Sequence, residues 1–171
     1  TFTPEFAKDF GMTELPTAGK AVFYCYLGLA LGDFFSGALS QYLQSRRKSV
    51  MVSLCMLIFF IGLFVTVKTQ SLAVYYTLCL MLGIGAGYWA MFVQMGAEQF
   101  GTNIRATAAT SIPNIVRGLT IPMTIAFRAF IPALGVTMSG LAVVGASVIL
   151  AFIALWNIRE TFHDDLDYTD H

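Results

Sequence analysis

Charged residues are scarce in this sequence. Lysine, arginine, aspartate and glutamate make up 12% of its 171 residues, whereas a soluble domain normally carries about a quarter. Hydrophobic residues make up 57%, and the mean hydropathy is +0.71. This balance argues against an ordinary soluble domain and indicates a chain whose main solvent is lipid.

The sequence also lacks an excess of positive charge and residues placed to bind a metal. Its formal net charge is zero, and its densest basic cluster is only Arg46-Arg47-Lys48, which argues against nucleic acid as a partner. Both histidines, His163 and His171, lie near the C-terminal end, so a histidine-ligated metal site within the membrane is excluded. The three cysteines lack metal-ligand spacing and read as inert packing residues (Cys25, Cys55 and Cys79). We therefore expect no metal and no cofactor.

The opening segment, residues 1–20, lacks the features of a targeting sequence. It does not begin with Met, and it has no apolar core followed by a small-residue cleavage site. We interpret it as an extracytoplasmic loop between membrane spans. We therefore expect an N-terminal half that is missing from this sequence.

Long apolar runs, in contrast, are abundant. A helix that spans a bilayer needs roughly 20 mostly apolar residues, and five such blocks follow one another along residues 21–157. They predict five transmembrane helices, at about 21–43, 50–67, 72–95, 106–130 and 136–156. The predicted fold class is an all-α polytopic transmembrane helix bundle with a tail at 158–171.

The distribution of basic residues predicts the orientation of this bundle. Lysine and arginine in short loops favour the cytoplasmic side. With the C-terminus inside, the inner side holds five basic residues and the outer side three, namely Arg46, Arg47, Lys48, Arg105 and Arg159 against Lys8, Lys20 and Lys68. We therefore expect a cytoplasmic C-terminus.

The fourth predicted span has a polar face. At 3.6 residues per turn, one side carries Thr110, Asn114, Arg117, Thr120, Thr124 and Arg128. Hydrogen bonds between helices can explain the threonines and Asn114, and Arg128 can snorkel to the outer surface. Arg117 lies about ten residues, roughly 15 Å, from the inner end, where a charge normally faces protein or a water-filled cavity. It is therefore our main candidate for a substrate or coupling role.

Asp33 is the sole acidic residue inside the five spans, and it shares a helix face with Tyr26. Its predicted depth is similar to that of Arg117. The two side chains therefore form a buried ion pair, or they line one cavity separately. In the second arrangement Asp33 carries a proton, since desolvation disfavours an ionised carboxylate, and Arg117 binds an anionic group.

Two further patterns concern the first and third spans. Small residues recur at every fourth position of the first span, and this spacing permits close approach of helices (Gly28, Gly32, Ser36 and Ser40). In the third span Tyr76 and Gln94 lie on the same face as Gly83 and Gly87, which adds two candidate ligand contacts.

Three short stretches lie on the predicted inner face, namely residues 37–48, residues 98–105 and the Glu-Thr pair at 160–161. They resemble, in this order, the motifs G-x-L-x-D-x-x-G-R-R/K and E-x-F-P-T-x-x-R and the end of P-E-T. These motifs are typical of the major facilitator superfamily, in particular of bacterial metabolite:proton symporters related to sugar porters. The sequence departs from these motifs in three places: Gln41 replaces the Asp, Gln44-Ser45 replace the Gly, and Gly101 replaces the Pro.

The resemblance implies that the five spans are helices eight to twelve of a transporter that works by alternating access. It implies a proton-coupled symporter of a small, anionic or sugar-like metabolite in a bacterial plasma membrane. It also places Asp33 and Arg117 at separate cavity positions. A cytoplasmic gate would be held by a charge network of Arg46 or Arg47 with Glu98, Arg105 and Glu160. The missing N-terminal half, membrane lipid, a proton and the substrate are the implied partners.

Two alternatives remain open from the sequence. A drug-efflux transporter of the same fold would use aromatic residues and an acid to bind cations, and Tyr26, Tyr76, Tyr88 and Trp89 are compatible with it. A five-helix scaffold or accessory subunit would use the polar faces to bind a partner. An enzyme is not expected, because the spans contain no pair of acids, no serine–histidine set and no metal cluster.

Overall fold

The computed structural model describes residues 2–67 and 71–162, and all regular secondary structure in these two ranges is helical. The helices are α1 Thr3–Asp9, α2 Ala18–Leu43, α3 Arg46–Thr66, α4 Leu72–Ala86, α5 Trp89–Ala97, α6 Thr102–Gly118 and α7 Thr120–Asn157. Lys68 and the C-terminal tail from His163 onward, which includes His171, lie outside the described residues.

Four helical stretches are long and apolar enough to cross a membrane: Ala18–Leu43, Arg46–Thr66, Leu72–Ala97 and Thr102–Asn157. The predicted fold class, an all-α bundle of membrane helices, is thereby confirmed. The last stretch has 56 residues, far more than one crossing requires.

This last stretch turns back at Gly135, which has φ +78° and ψ 172°. Thr137, just after the turn, hydrogen-bonds to Asp9. The far end of the stretch returns to its starting point, because the Gln99 side chain donates to the Arg159 carbonyl at 3.1 Å. One end of the bundle therefore carries α1, and we call it the α1 end. The opposite end carries Glu98, and we call it the Glu98 end.

The closest helix pair is α2 against α4. A Cβ atom on Gly28 would collide with the Leu80 carbonyl oxygen, and one on Gly83 would collide with the Cys25 carbonyl oxygen. The two backbones are therefore in direct contact, as small residues at four-residue spacing permit.

Apolar side chains form a buried cluster at each end of the bundle. The cluster at the α1 end joins α1, α2 and α4 (Ala7, Phe10, Met12, Ala21, Tyr75 and Cys79). The cluster at the Glu98 end joins α3, α5 and α7 (Val50, Leu54, Met91, Met95 and Leu155).

The third membrane stretch is interrupted between these two clusters. Gly87 has ψ 64° and Tyr88 has φ −130°, so α4 ends there and α5 begins at Trp89. Gly87 also packs against the backbone of Gly32 in α2, with no room for a side chain on either residue. This contact brings the neighbouring residue, Asp33, next to the first turn of α5.

Candidate functional site

Asp33 caps the N-terminus of α5 from a different helix. Its Oδ1 atom accepts a hydrogen bond from the backbone N–H of Ala90 at 3.1 Å. The first N–H groups of any helix have no partner within that helix, and in a membrane each unpaired group is costly. The partial positive charge at a helix N-terminus also favours a carboxylate. Asp33 therefore stabilises the break between α4 and α5.

Arg117 approaches the same turn of α5 from α6. The central carbon of its guanidinium lies 5.6 Å from the centroid of the Trp89 ring, within range of a cation–π interaction. No ion pair joins Arg117 to Asp33 or to any other acid in the part of the chain that is described. Asp33 and Arg117 instead meet adjacent residues, Ala90 and Trp89, without direct contact.

A cavity of about 820 Å³ lies between α5 and α6. Trp89 supplies an aromatic wall, and the polar lining comes from Gln94, Glu98, Thr102, Arg105 and Arg117. This volume is within the range of small-molecule sites. Glu98 is already paired with Arg46, so the charge that the lining offers to a ligand is positive.

Other predicted ligand contacts lie away from this cavity. The Tyr76 hydroxyl accepts a hydrogen bond from the Thr17 N–H at 3.1 Å at the α1 end. Asn114 donates to the Thr110 carbonyl of its own helix at 2.9 Å. Tyr26 is 67% exposed on α2, and Arg128 lies 5.6 Å from the Phe2 ring.

The predicted charge network at the Glu98 end centres on an ion pair between Arg46 of α3 and Glu98. Glu98 is only 5% exposed, and its carboxylate also accepts a hydrogen bond from the Thr161 hydroxyl at 2.7 Å. The pair therefore ties α3 to both the α5–α6 connection and the segment after α7.

Glu160 binds the start of α3 through the backbone. Its carboxylate accepts hydrogen bonds from the Ser45 hydroxyl and from the N–H groups of Arg46, at 3.1 Å, and Arg47, at 3.3 Å. Burial raises the pKa of Glu160, but these hydrogen bonds and one from the Phe162 N–H outweigh burial and leave the pKa below its ordinary value.

The two remaining residues of the predicted network make other contacts. The Arg47 guanidinium lies 5.9 Å from the Trp156 ring centroid, and Arg105 Nε donates to the Phe100 carbonyl at 3.3 Å.

Gln44, at the position of the motif glycine, has φ +47°. This left-handed conformation ends α2 and is one that glycine adopts most readily.

Sequence reasoning missed several contributors to these sites. From the sequence, Trp89 was only one of several aromatic residues that could bind a cation, although its ring contacts the Arg117 guanidinium. Ser45, Thr161 and Asp9 were not singled out, because each acts on a residue distant in the sequence. The one local signal for the α5 site was the Gly-x-Gly-Tyr run just before Trp89, which predicts a break.

Comparison of the chain with protein-family models, with curated proteins and with solved structures finds no match.

Proposed function

We propose that this chain is part of a secondary active transporter of the major facilitator type, which moves a small metabolite across the membrane by alternating access. The observation that supports this most is the position of Arg117, which lines a cavity beside an interrupted membrane helix. Transporter sites near the bilayer midplane are typically built around such discontinuous helices.

The charge of the cavity favours a substrate with an anionic group, with Gln94 and Trp89 contacting the rest of a small or sugar-like molecule. Efflux of lipophilic cations is the less favoured alternative. A cationic drug would compete with Arg117 for the face of Trp89 and would be repelled by its charge.

We assign proton coupling to Asp33. Protonation of Asp33 removes a negative charge from the N-terminus of α5 and weakens its hold on the Ala90 N–H. Trp89 directly precedes Ala90, and its ring makes the cation–π contact with Arg117. A change at Ala90 on proton binding is therefore linked to the position of the Arg117 guanidinium in the cavity.

The Glu98 end serves as the cytoplasmic gate in this proposal. The Arg46–Glu98 pair and the Glu160 contacts join α3, α5 and the segment after α7 when the gate is closed. Rocking of the two halves of the transporter would break and remake these contacts. The first half would pack against α2, whose Phe34 and Tyr42 side chains are 82% and 86% exposed. The bacterial plasma membrane is the expected location.

The anionic-substrate assignment is tested by ligand-dependent thermal stabilisation of the intact detergent-purified protein, with a panel of small carboxylates and neutral sugars. We expect a carboxylate to stabilise the wild type and Arg117→Gln to abolish that shift. Lys20→Gln, which removes an exposed cation outside the cavity, should retain it. An unchanged shift in Arg117→Gln would refute the role of Arg117, and stabilisation by neutral sugars alone would refute an anionic substrate.

Proton coupling is tested in vesicles that contain the intact protein, with the ligand found in that panel. Asp33→Asn should abolish accumulation driven by a pH gradient while retaining counterflow exchange. Accumulation equal to that of the wild type would rule out Asp33 as the proton carrier.

A further inference from the structure

A second cavity, of about 480 Å³, lies at the α1 end between α2, α3, α4 and α7. Its walls are almost entirely apolar, with Phe64, Cys79, Leu82, Leu141 and Val144 among the lining residues. It is separate from the cavity of the proposed transport site, because the two share no lining residue. We call it the α1 groove.

Helices α3 and α7 pack together at the opposite end of the bundle, around Leu54 and Leu155, and the α1 groove lies between them at the α1 end. At the α1 end, the short helix α1 bridges them. The Phe6 ring packs on Phe127, with ring centroids 6.0 Å apart, and lies so close to Gly140 that a Cβ atom there would meet it at 2.8 Å. The groove is therefore roofed by α1.

The contents of the groove follow from its position and lining. It lies among helices that cross the membrane, and its few polar lining groups offer water little to bind. An empty space of this size forfeits the dispersion contacts of every side chain that lines it. A hydrocarbon chain restores those contacts, and a membrane supplies such chains as lipid acyl groups.

The positively charged side chain of Arg128 lies beside the groove. Arg128 is exposed, and its guanidinium lies 5.6 Å from the ring centroid of Phe2, which itself lines the groove. Among the described residues no acid pairs with Arg128. Asp9 of α1, which contacts α7, is engaged by both the N–H and the hydroxyl of Thr137. Long arginine side chains near helix ends reach the membrane interface, where lipid phosphates lie.

We propose that the α1 groove binds one phospholipid of the adjacent leaflet. Its acyl chain lies beneath α1 against Leu141 and Val144, and its phosphate contacts Arg128. The lipid would thereby fill the space that α3 and α7 leave between them and would secure the Gly135 turn of α7. This role does not depend on transport.

The test uses the intact protein in vesicles made of equal parts of phosphatidylcholine and phosphatidylglycerol. A trace of phosphatidylglycerol with a photoactivatable group in its acyl chain is added, and the labelled peptides are mapped after illumination. We expect labelling concentrated in the peptides that contain Cys79 and Leu141. Leu141→Trp should abolish it by filling the groove, whereas Leu150→Trp, a matched change at a 66% exposed position of the same helix, should leave it unchanged.

Arg128→Gln provides a second and milder variant, which leaves the groove itself intact. It should lower the labelling about fivefold, the loss expected for one basic residue near a lipid surface, and Arg128→Lys should retain most of it. Labelling spread evenly over the exposed helix faces and insensitive to Leu141→Trp would overturn the proposal. Equal labelling by a photoactivatable diacylglycerol, which lacks the phosphate, would overturn the assignment of a phospholipid.

Discussion

The Asp33 carboxylate of α2 accepts a hydrogen bond from the N–H of Ala90, fifty-seven positions further along the chain, and thereby caps the first turn of α5. Two other acids have the same relationship to a distant helix. Asp9 accepts a hydrogen bond from the N–H of Thr137, just after the Gly135 turn. Glu160 accepts one from the N–H of Arg46, at the start of α3. Apolar neighbours cannot satisfy the first N–H groups of these helices, so these three acids act as caps supplied from elsewhere in the fold.

The first prediction concerns Asp33 as a cap. Asp33→Ala should lower the free energy of unfolding by about 1–2 kcal/mol, because the Ala90 N–H loses its acceptor. Asp33→Asn keeps an oxygen acceptor and should lose appreciably less. Thermal unfolding of the detergent-purified protein measures both. Equal loss in the two variants would show that the charge of Asp33, rather than its hydrogen bond, holds α5.

The second prediction concerns the pair of Arg46 and Glu98. Arg46→Met should destabilise the protein by about 3–5 kcal/mol, because it leaves the buried Glu98 carboxylate without its cation. The double variant Arg46→Met/Glu98→Leu should recover much of that loss, since no uncompensated charge remains buried. Denaturation of the wild type, both single variants and the double variant gives the coupling energy. A coupling energy near zero would mean that the two side chains act independently.

The third prediction follows from the lowered pKa of Glu160. A carboxyl group with a lowered pKa in the folded state binds its proton more weakly there than in the unfolded chain. Its stabilising effect is therefore complete above the ordinary glutamate pKa, about 4.3, and is lost as pH falls from there through the lowered pKa. Glu160→Gln should reduce stability at neutral pH and should remove this part of the acid-induced loss. Unfolding temperatures of the wild type and of Glu160→Gln are measured from pH 7 to pH 3. Parallel pH profiles for the two proteins would contradict a lowered pKa of Glu160.

The fourth prediction compares two glycines inside helices. Gly83→Ala should destabilise the bundle by about 1–3 kcal/mol, because the new Cβ collides with the α2 backbone at Cys25 and forces α2 and α4 apart. Gly145→Ala meets open space in α7 and should be neutral or stabilising by up to about 1 kcal/mol, since alanine favours a helix over glycine. Similar unfolding temperatures for the two variants would mean that the close α2–α4 contact contributes little.

The fold class could be predicted because the bilayer imposes a local rule. Every backbone N–H and C=O in the hydrocarbon region needs a partner, so long apolar runs must be helices. The small residues around Gly28 and Gly83 similarly indicated a close helix pair, and α2 and α4 form one. The polar face around Arg117 was predicted to avoid lipid; Arg117 lines the cavity between α5 and α6, whereas Asn114 and Arg128 of the same predicted face make other contacts.

The arrangement of the candidate site could not be predicted to the same degree. Asp33 and Arg117 were singled out because ionisable side chains are rare in membrane spans, but the sequence left both a direct pair and separate positions open. The choice depends on the break at Gly87, which inserts a helix start between them and gives each side chain a different partner. Tyr76 had the same helical phase as Gln94 but lies at the α1 end, where it accepts the Thr17 N–H.

Composition and local periodicity are enough to predict that this protein is a bundle of membrane helices, and they single out the few charged residues that lipid would not accommodate. The partners of those charged residues depend on the tertiary structure. The carboxylates of Asp9, Asp33 and Glu160 each stabilise a helix that begins far away in the chain, and Arg117 rests on an indole from another helix. Such contacts depend on where helices break and cross, and those positions are set by backbone packing at residues such as Gly32 and Gly87.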